Sequence, residues 1–264
     1  MKVSISNIAL KEYSFEEALP RIKRCGIDGL ELAPNLLFKD PLNSSAQERK
    51  AIQEKIQDAG LEVVGLHSLF FNCPDLQILS ETSRLTCIAR IKGMAELCRD
   101  LGGKILTLGA PKNRKKGELE FEEAYARAVS FFQEVAGVLK ENDVILCFEP
   151  LSVVYECDFI ATADEGARLV GDVDSPHFQM LLDTGSMALN KEDAGKMFLK
   201  HKNKVKHIHI NDPHLFPPGS KGIDHKVFAE ILRENKYDGW LSLEFRSQPF
   251  RIEDLVAYAM ECYQ

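Results

Sequence analysis

The fold class this sequence predicts is α/β, a (β/α)8 barrel forming one domain over residues 1–264, and three observations predict it. The length of 264 residues suits one such barrel. One phrase recurs about eight times: a short β-branched or leucine-rich run, then a helical stretch closed by glycine. The runs themselves are nearly all apolar, as expected of parallel strands covered on both faces. A doubly wound sheet would offer a glycine-rich loop after its first strand, and Asn7-Ile-Ala-Leu-Lys11 has none.

Taken in order, strand one runs from Val3 to Ile8, and Ser14-Phe-Glu-Glu17 is a capping box opening a helix that stops at Gly26. Gly29 to Leu32 is strand two. A polar loop from Asn35 to Asn43 leads to a helix over Ser45 to Ala59, ended by Gly60. Leu61 to His67 is strand three, and an apolar loop from Ser68 to Leu76 follows it. A helix from Ser83 to Leu101 stops at Gly102-Gly103, before strand four at Lys104 to Leu108. The helix Phe121 to Glu141 precedes strand five, Val144 to Glu149. Thr162-Ala-Asp-Glu165 caps the next helix, Phe178 to Asp183 is strand six, and Lys191 to Lys202 is helical. Strand seven is Val205 to Ile210. Helix Asp224 to Asn235, a turn at Tyr237 to Trp240, the strand ending at Glu244 and a helix over Ile252 to Cys262 complete the eighth unit.

Composition narrows the function. A net charge of −7 provides no sequence-wide field for nucleic acid or an anionic membrane surface. The seven cysteines are scattered without a C-x-x-C pair, which suits single thiols in a reducing compartment; Cys147 and Cys157 read as packing residues. Met1-Lys-Val-Ser-Ile-Ser enters directly on strand character, and no apolar run is long enough to cross a bilayer. A cytoplasmic protein without a membrane partner is therefore expected.

Four strand ends carry metal-ligand chemistry. Strands five, six and eight end in Glu149, Asp183 and Glu244, and strand seven carries His207 and His209 on one face. In such barrels, chemistry sits at the C-terminal strand ends. Three carboxylates and an imidazole brought to one mouth would repel and lose hydration unless a cation lay between them. Mostly oxygen ligation with one nitrogen suits Mn²⁺ first, with Mg²⁺, Co²⁺ or Zn²⁺ as alternatives. Around this set, Glu31 and His67 would face the mouth or hydrogen-bond beneath it. Lys112 and Arg114, in Pro111-Lys-Asn-Arg114, offer cations for a substrate phosphate or carboxylate, and Arg246 would point the same way as Glu244. The apolar loop Leu69-Phe-Phe-Asn-Cys-Pro74 suits a substrate lid or a contact in a homo-oligomer.

These residues carry a resemblance. Phe148-Glu-Pro150, Leu182-Asp-Thr-Gly185, His207-Ile-His-Ile-Asn-Asp212 and Ser242-Leu-Glu-Phe-Arg246 resemble the sugar phosphate isomerase/epimerase family of xylose isomerase-like barrels, with Gly26-Ile-Asp-Gly-Leu-Glu31 and His67 as weaker support. The resemblance covers nearly the whole chain. It implies that Glu149, Asp183, His209 and Glu244 bind a divalent metal, that His207 lies behind the ligands, and that Glu149 and Glu244 pass a proton. The implied reaction is isomerisation or epimerisation of a sugar, sugar phosphate or polyol derivative through a metal-stabilised ene-diolate.

The substrate shell departs from the ketose 3-epimerase pattern. Glu156 ends a stretch, Glu149-Pro-Leu-Ser-Val-Val-Tyr-Glu156, that differs from the Asn-Arg-Phe-Glu run of those relatives. Ser186 stands where they have histidine, and His214 and Leu215 lie where they have arginine. His67, Lys112, Arg114, Glu156, His214 and Arg246 are the expected substrate-binding residues. Two other classes are weighed: a metal-dependent apurinic endonuclease, which would need more histidines and a basic face for DNA, and a non-catalytic sugar-binding relative, which would lose metal ligands.

Overall fold

The computed structural model describes residues 1–264. Eight strands, β1 (Lys2–Ser6), β2 (Gly29–Leu32), β3 (Glu62–Leu66), β4 (Ile105–Leu108), β5 (Ile145–Phe148), β6 (Phe178–Asp183), β7 (Val205–Ile210) and β8 (Trp240–Leu243), pair in parallel and in sequence order. The barrel closes where Lys2 to Ile5 of β1 register with Trp240 to Leu243 of β8. Around it lie α1 (Phe15–Arg24), α2 (Ala46–Asp58), α3 (Arg84–Asp100), α4 (Phe121–Asn142), α5 (Ala163–Val173), α6 (Thr184–Leu189), α7 (Ala194–His201), α8 (His225–Glu234) and α9 (Ile252–Tyr263). The capping boxes expected at Ser14/Glu17 and Thr162/Glu165 both form. No helix is long and apolar enough to cross a membrane, and all seven cysteines are free thiols.

Four local expectations need correction. Strand one stops at Ser6, whose hydroxyl accepts the Ile8 N–H and starts a 3₁₀ turn. A second such turn, Pro34–Leu36, occupies the start of the loop expected at residues 35–43. The sequence reading also left out α6, which opens directly on β6, with Asp183 as both strand end and N-cap. The following helix begins only at Ala194, because the Asp193 side chain caps it by accepting the Lys196 N–H.

The apolar runs split by alternation into two layers. Val3, Ile5, Leu30, Leu32, Leu106, Leu108, Phe148, Ile208, Leu241 and Leu243 face the helices and join one continuous core. Within it Phe132 of α4 stacks against Phe178, at 4.6 Å between ring centroids, and edge-on against Phe148 at 5.6 Å. The alternate residues point to the barrel axis. Val64, Ile105, Cys147 and Leu181 form a small apolar plug there, with Ile145 and Trp240 against it. Two residues further along the same strands stand Thr107, Glu149 and Asp183, and above Trp240 stand Ser242 and Glu244. The plug seals the bottom of the barrel and leaves the C-terminal end polar.

Candidate metal and active site

Glu149 and Glu244 are the first residues beyond β5 and β8, Asp183 ends β6, and His209 lies within β7. Parallel pairing in register brings these four ends to one place. One ligand atom from each lies within 4.8 Å of all the others. The Nδ1 of His209 is 2.9 Å from Glu244 Oε2, 3.3 Å from Glu149 Oε1 and 4.0 Å from Asp183 Oδ2. It is buried and makes no aligned hydrogen bond to any of them. A ring nitrogen aimed among three carboxylates without a hydrogen bond fits a metal ligand, and the mixed oxygen and nitrogen donor set fits a divalent ion.

Each ligand is held from behind. Asp183 accepts the Ser186 N–H on Oδ1 and the Asn211 side-chain amide on Oδ2, both at 2.6 Å. Glu149 lies across Gly109, where an added Cβ would come within 2.3 Å of Oε2 and push the carboxylate from its place. Glu244 turns Oε1 toward His67 Nδ1 at 3.3 Å, and Ser6 Oγ holds the far nitrogen of His67 at 2.7 Å. Beneath His209, Nε2 donates to Glu31 Oε2 at 3.0 Å, and His207 Nε2 donates to the same oxygen at 3.1 Å.

Burial and crowding of like charge set the electrostatics. Burial, then the Glu149 charge, push Asp183 up to about 7. Burial raises Glu149 as well. At Glu244 and Glu31 burial acts in the same direction, but the neighbouring imidazoles outweigh it, lowering Glu244 and holding Glu31 well below the usual carboxylate range. His209 is raised well above the ordinary imidazole value: burial opposes its charge, but Glu244 and Glu31 dominate. His67 is lowered, chiefly by burial. The carboxylates around His209 thus favour positive charge at that point of the site.

The pocket above these groups has a volume of about 430 Å³. His67, Thr107, Glu149, Asp183 and Glu244 form its floor; Leu151, Val154, Tyr155 and Leu215 form a largely apolar wall. At the lip, Lys112 approaches Glu156 at 3.6 Å, both well exposed. Ser68, Ala110, Glu156, His214 and Leu215 on the surrounding loops all have positive φ, and such strain concentrates at ligand sites.

The expected substrate residues separate into two groups. His67, Lys112 and Glu156 line the pocket. Arg114 does not: it is buried, lies 4.5 Å over the Phe148 ring, and uses four of its five N–H donors on the carbonyls of Gly109, Glu149, Phe159 and Ile160. Its guanidinium ties the loops after β4 and β5 together instead of facing substrate. Arg246 follows β8, which ends at Leu243; its side chain is exposed and is not among the pocket-lining residues, while its N–H donates to the carbonyl of the lining residue Leu215 at 2.9 Å. His214 is exposed beside Tyr155, and its neighbour Leu215 takes the lining position. Ser186 is buried, and its hydroxyl accepts the Ser152 N–H at 2.7 Å. In the 69–74 loop Leu69 and Phe70 are buried while Phe71 remains half exposed. Sequence reasoning passed over Thr107 and Tyr155; a lone polar residue in the apolar run Ile105–Leu108 was the available signal for Thr107.

Fold and site together define a parallel (β/α)8 barrel with a carboxylate–imidazole cluster of metal-ligand type at its C-terminal mouth. A family model described as the xylose isomerase-like TIM barrel matches residues 19–264, and the chain belongs to that family. Among curated relatives, it is 24% identical to 3-dehydro-D-guloside 4-epimerase of Escherichia coli (strain K12), over 96% of this chain and 94% of that protein. It is 20% identical to inosose dehydratase of Clostridium botulinum (strain Alaska E43 / Type E3), over 95% and 88% respectively. Both relatives are enzymes. A crystal structure of D-psicose 3-epimerase in the presence of D-fructose superposes with a TM-score of 0.83 at 18% identity, covering 100% of this chain and 99% of that one, which concerns the fold.

Proposed function

We propose that this protein is a divalent-metal-dependent epimerase or isomerase of a keto sugar or a related polyol derivative. The observation that carries the reading is the four-residue cluster in which His209 Nδ1 lies unpartnered among Glu149, Asp183 and Glu244. Those four would hold the ion, Mn²⁺ before Mg²⁺, Co²⁺ or Zn²⁺. When bound, it would polarise a substrate carbonyl and acidify the adjacent C–H. The two glutamates do the proton work. Each directs one oxygen at His209, leaving Glu149 Oε2 beside Gly109 and Glu244 Oε1 beside His67. One glutamate, ionised, takes the proton from one face while the other, protonated, delivers its own to the opposite face, giving inversion, and exchange with solvent resets the pair. A single glutamate that returns the proton to the neighbouring carbon gives isomerisation. Asp183 and His209, both fixed by hydrogen bonds from behind, serve to hold the ion.

The apolar wall around Leu215 and Val154 favours a substrate with one face free of hydroxyls over a free, fully hydroxylated ketohexose. The single imidazole of the metal set and the acidic balance of the chain argue against a role on duplex DNA. The reading is tested by incubating Mn²⁺-loaded protein in deuterated water with keto sugars, their glycosides and inososes. Deuterium at the inverted carbon of product supports it; loss of water indicates dehydration, and inverted product formed without solvent deuterium counts against the two-glutamate route.

A further inference from the structure

Glu31 lies at the barrel axis, fully buried, and comes from β2, separated from β7, the strand that carries His209, by β1 and β8. An isolated carboxylate there would lose far more hydration than it could recover. It is instead supplied with three donors: Thr107 Oγ1 from β4 gives to Oε1 at 2.7 Å, and His207 and His209 from β7 both give to Oε2. Both imidazole contacts are aligned hydrogen bonds, at 3.0 and 3.1 Å, so the two Nε2 atoms are already engaged with the carboxylate, whereas His209 Nδ1 is aligned with none of its carboxylate neighbours. At the other end of His207, Nδ1 is buried without any partner. The Nε2–H form leaves only a lone pair unused there, whereas the Nδ1–H form would bury an unpaired donor and turn a lone pair toward a carboxylate.

We propose that Glu31 is the positioning residue of the centre: by accepting the Nε2–H of His209 it keeps Nδ1 free of hydrogen and aimed at the ion, while His207 and Thr107 lock the carboxylate in place. The inference rests on the metal reading of the site. Outer partners of this kind fix ring orientation and raise the basicity of the ligating nitrogen, and their loss weakens metal binding about 10–100-fold.

The test uses the whole chain labelled with ¹⁵N-histidine, with His207→Gln used to separate the two strand resonances. In Zn²⁺-loaded wild-type protein, both rings should show hydrogen on Nε2; hydrogen on Nδ1 of His207 overturns the assignment without any variant at Glu31. Glu31→Leu should bind Mn²⁺ about 10–100-fold more weakly and lose the fixed tautomer at His209. Glu31→Gln can still offer its amide oxygen to both imidazoles and its NH₂ to Thr107 Oγ1. It should therefore restore the tautomer and most of the affinity, which a role in packing alone would not produce. Wild-type affinity in Glu31→Leu contradicts the positioning role alone, whereas a wild-type protein that binds neither Zn²⁺ nor Mn²⁺ removes the metal reading itself.

Discussion

On β7, Ile208 and Ile210 face the helices and belong to the continuous apolar core, whereas His207 and His209, one residue away on the same strand, face the axis and meet Glu31 from β2. The two faces are built by different physics. Outward residues contribute by area and volume, each packing against several neighbours, so their stabilisation is spread widely. Inward polar residues depend on a few specific partners delivered by distant strands, and an inward group that loses its partner is left buried and unsatisfied. The outer face should therefore govern stability and the inner face chemistry.

The largest effects fall on the inner face. Glu149→Gln and Glu244→Gln keep shape and one ligand oxygen but remove the basic carboxylate. Turnover should drop by about 10²–10⁴-fold, while metal content and melting temperature stay near wild type; parallel losses of activity and metal would reduce both residues to ligands only. On the outer face, Phe132→Ala removes the ring packed between Phe148 and Phe178 and should cost about 3–5 kcal/mol in denaturant unfolding. Its folded fraction should bind Mn²⁺ as wild type does. A weakened site there would mean that the two faces are coupled.

Much of this division was legible in the sequence because it follows from alternation. The strand-end acids Glu149, Asp183 and Glu244 and the pair His207/His209 each occupy a defined phase of a short apolar run, and parallel order brings those phases to one mouth. Residues whose setting is made by non-local backbone were not legible. Arg114 sits in a loop with Lys112, Lys115 and Lys116, a pattern normally solvated, and its burial depends on carbonyls from three separate segments. Arg246 was read by extending strand alternation past Leu243, where β8 has ended. Helix α6 escaped because six residues hold too few turns to show a period, although Asp183 three residues before Ser186 was a usable cap signal.

A smaller effect follows from the titration of the site. Asp183, pushed up to about 7, holds its proton more tightly folded than unfolded, where the value is about 3.9. That raised value gives the metal-free protein stability that is present at low pH and lost as pH rises through about 7; the raised His209 acts in the same sense. An ion must displace these protons. The rise in melting temperature caused by excess Mn²⁺ should therefore grow as pH increases from about 4 to about 7. A pH-independent rise would place the ion away from Asp183 and His209. The smallest effect is expected at the lip, where Lys112→Ala breaks only an exposed pair with Glu156: stability should not change, and any loss should appear in KM alone.

The division between the faces rests on an ion among four inward side chains, and that is observed most directly in a crystal soaked in Mn²⁺, with diffraction recorded at a wavelength where manganese scatters anomalously. One strong anomalous peak bounded by Glu149, Asp183, His209 Nδ1 and Glu244 is the expected result. No peak there, or an ion held by other residues while these four remain hydrogen-bonded among themselves, would contradict the account.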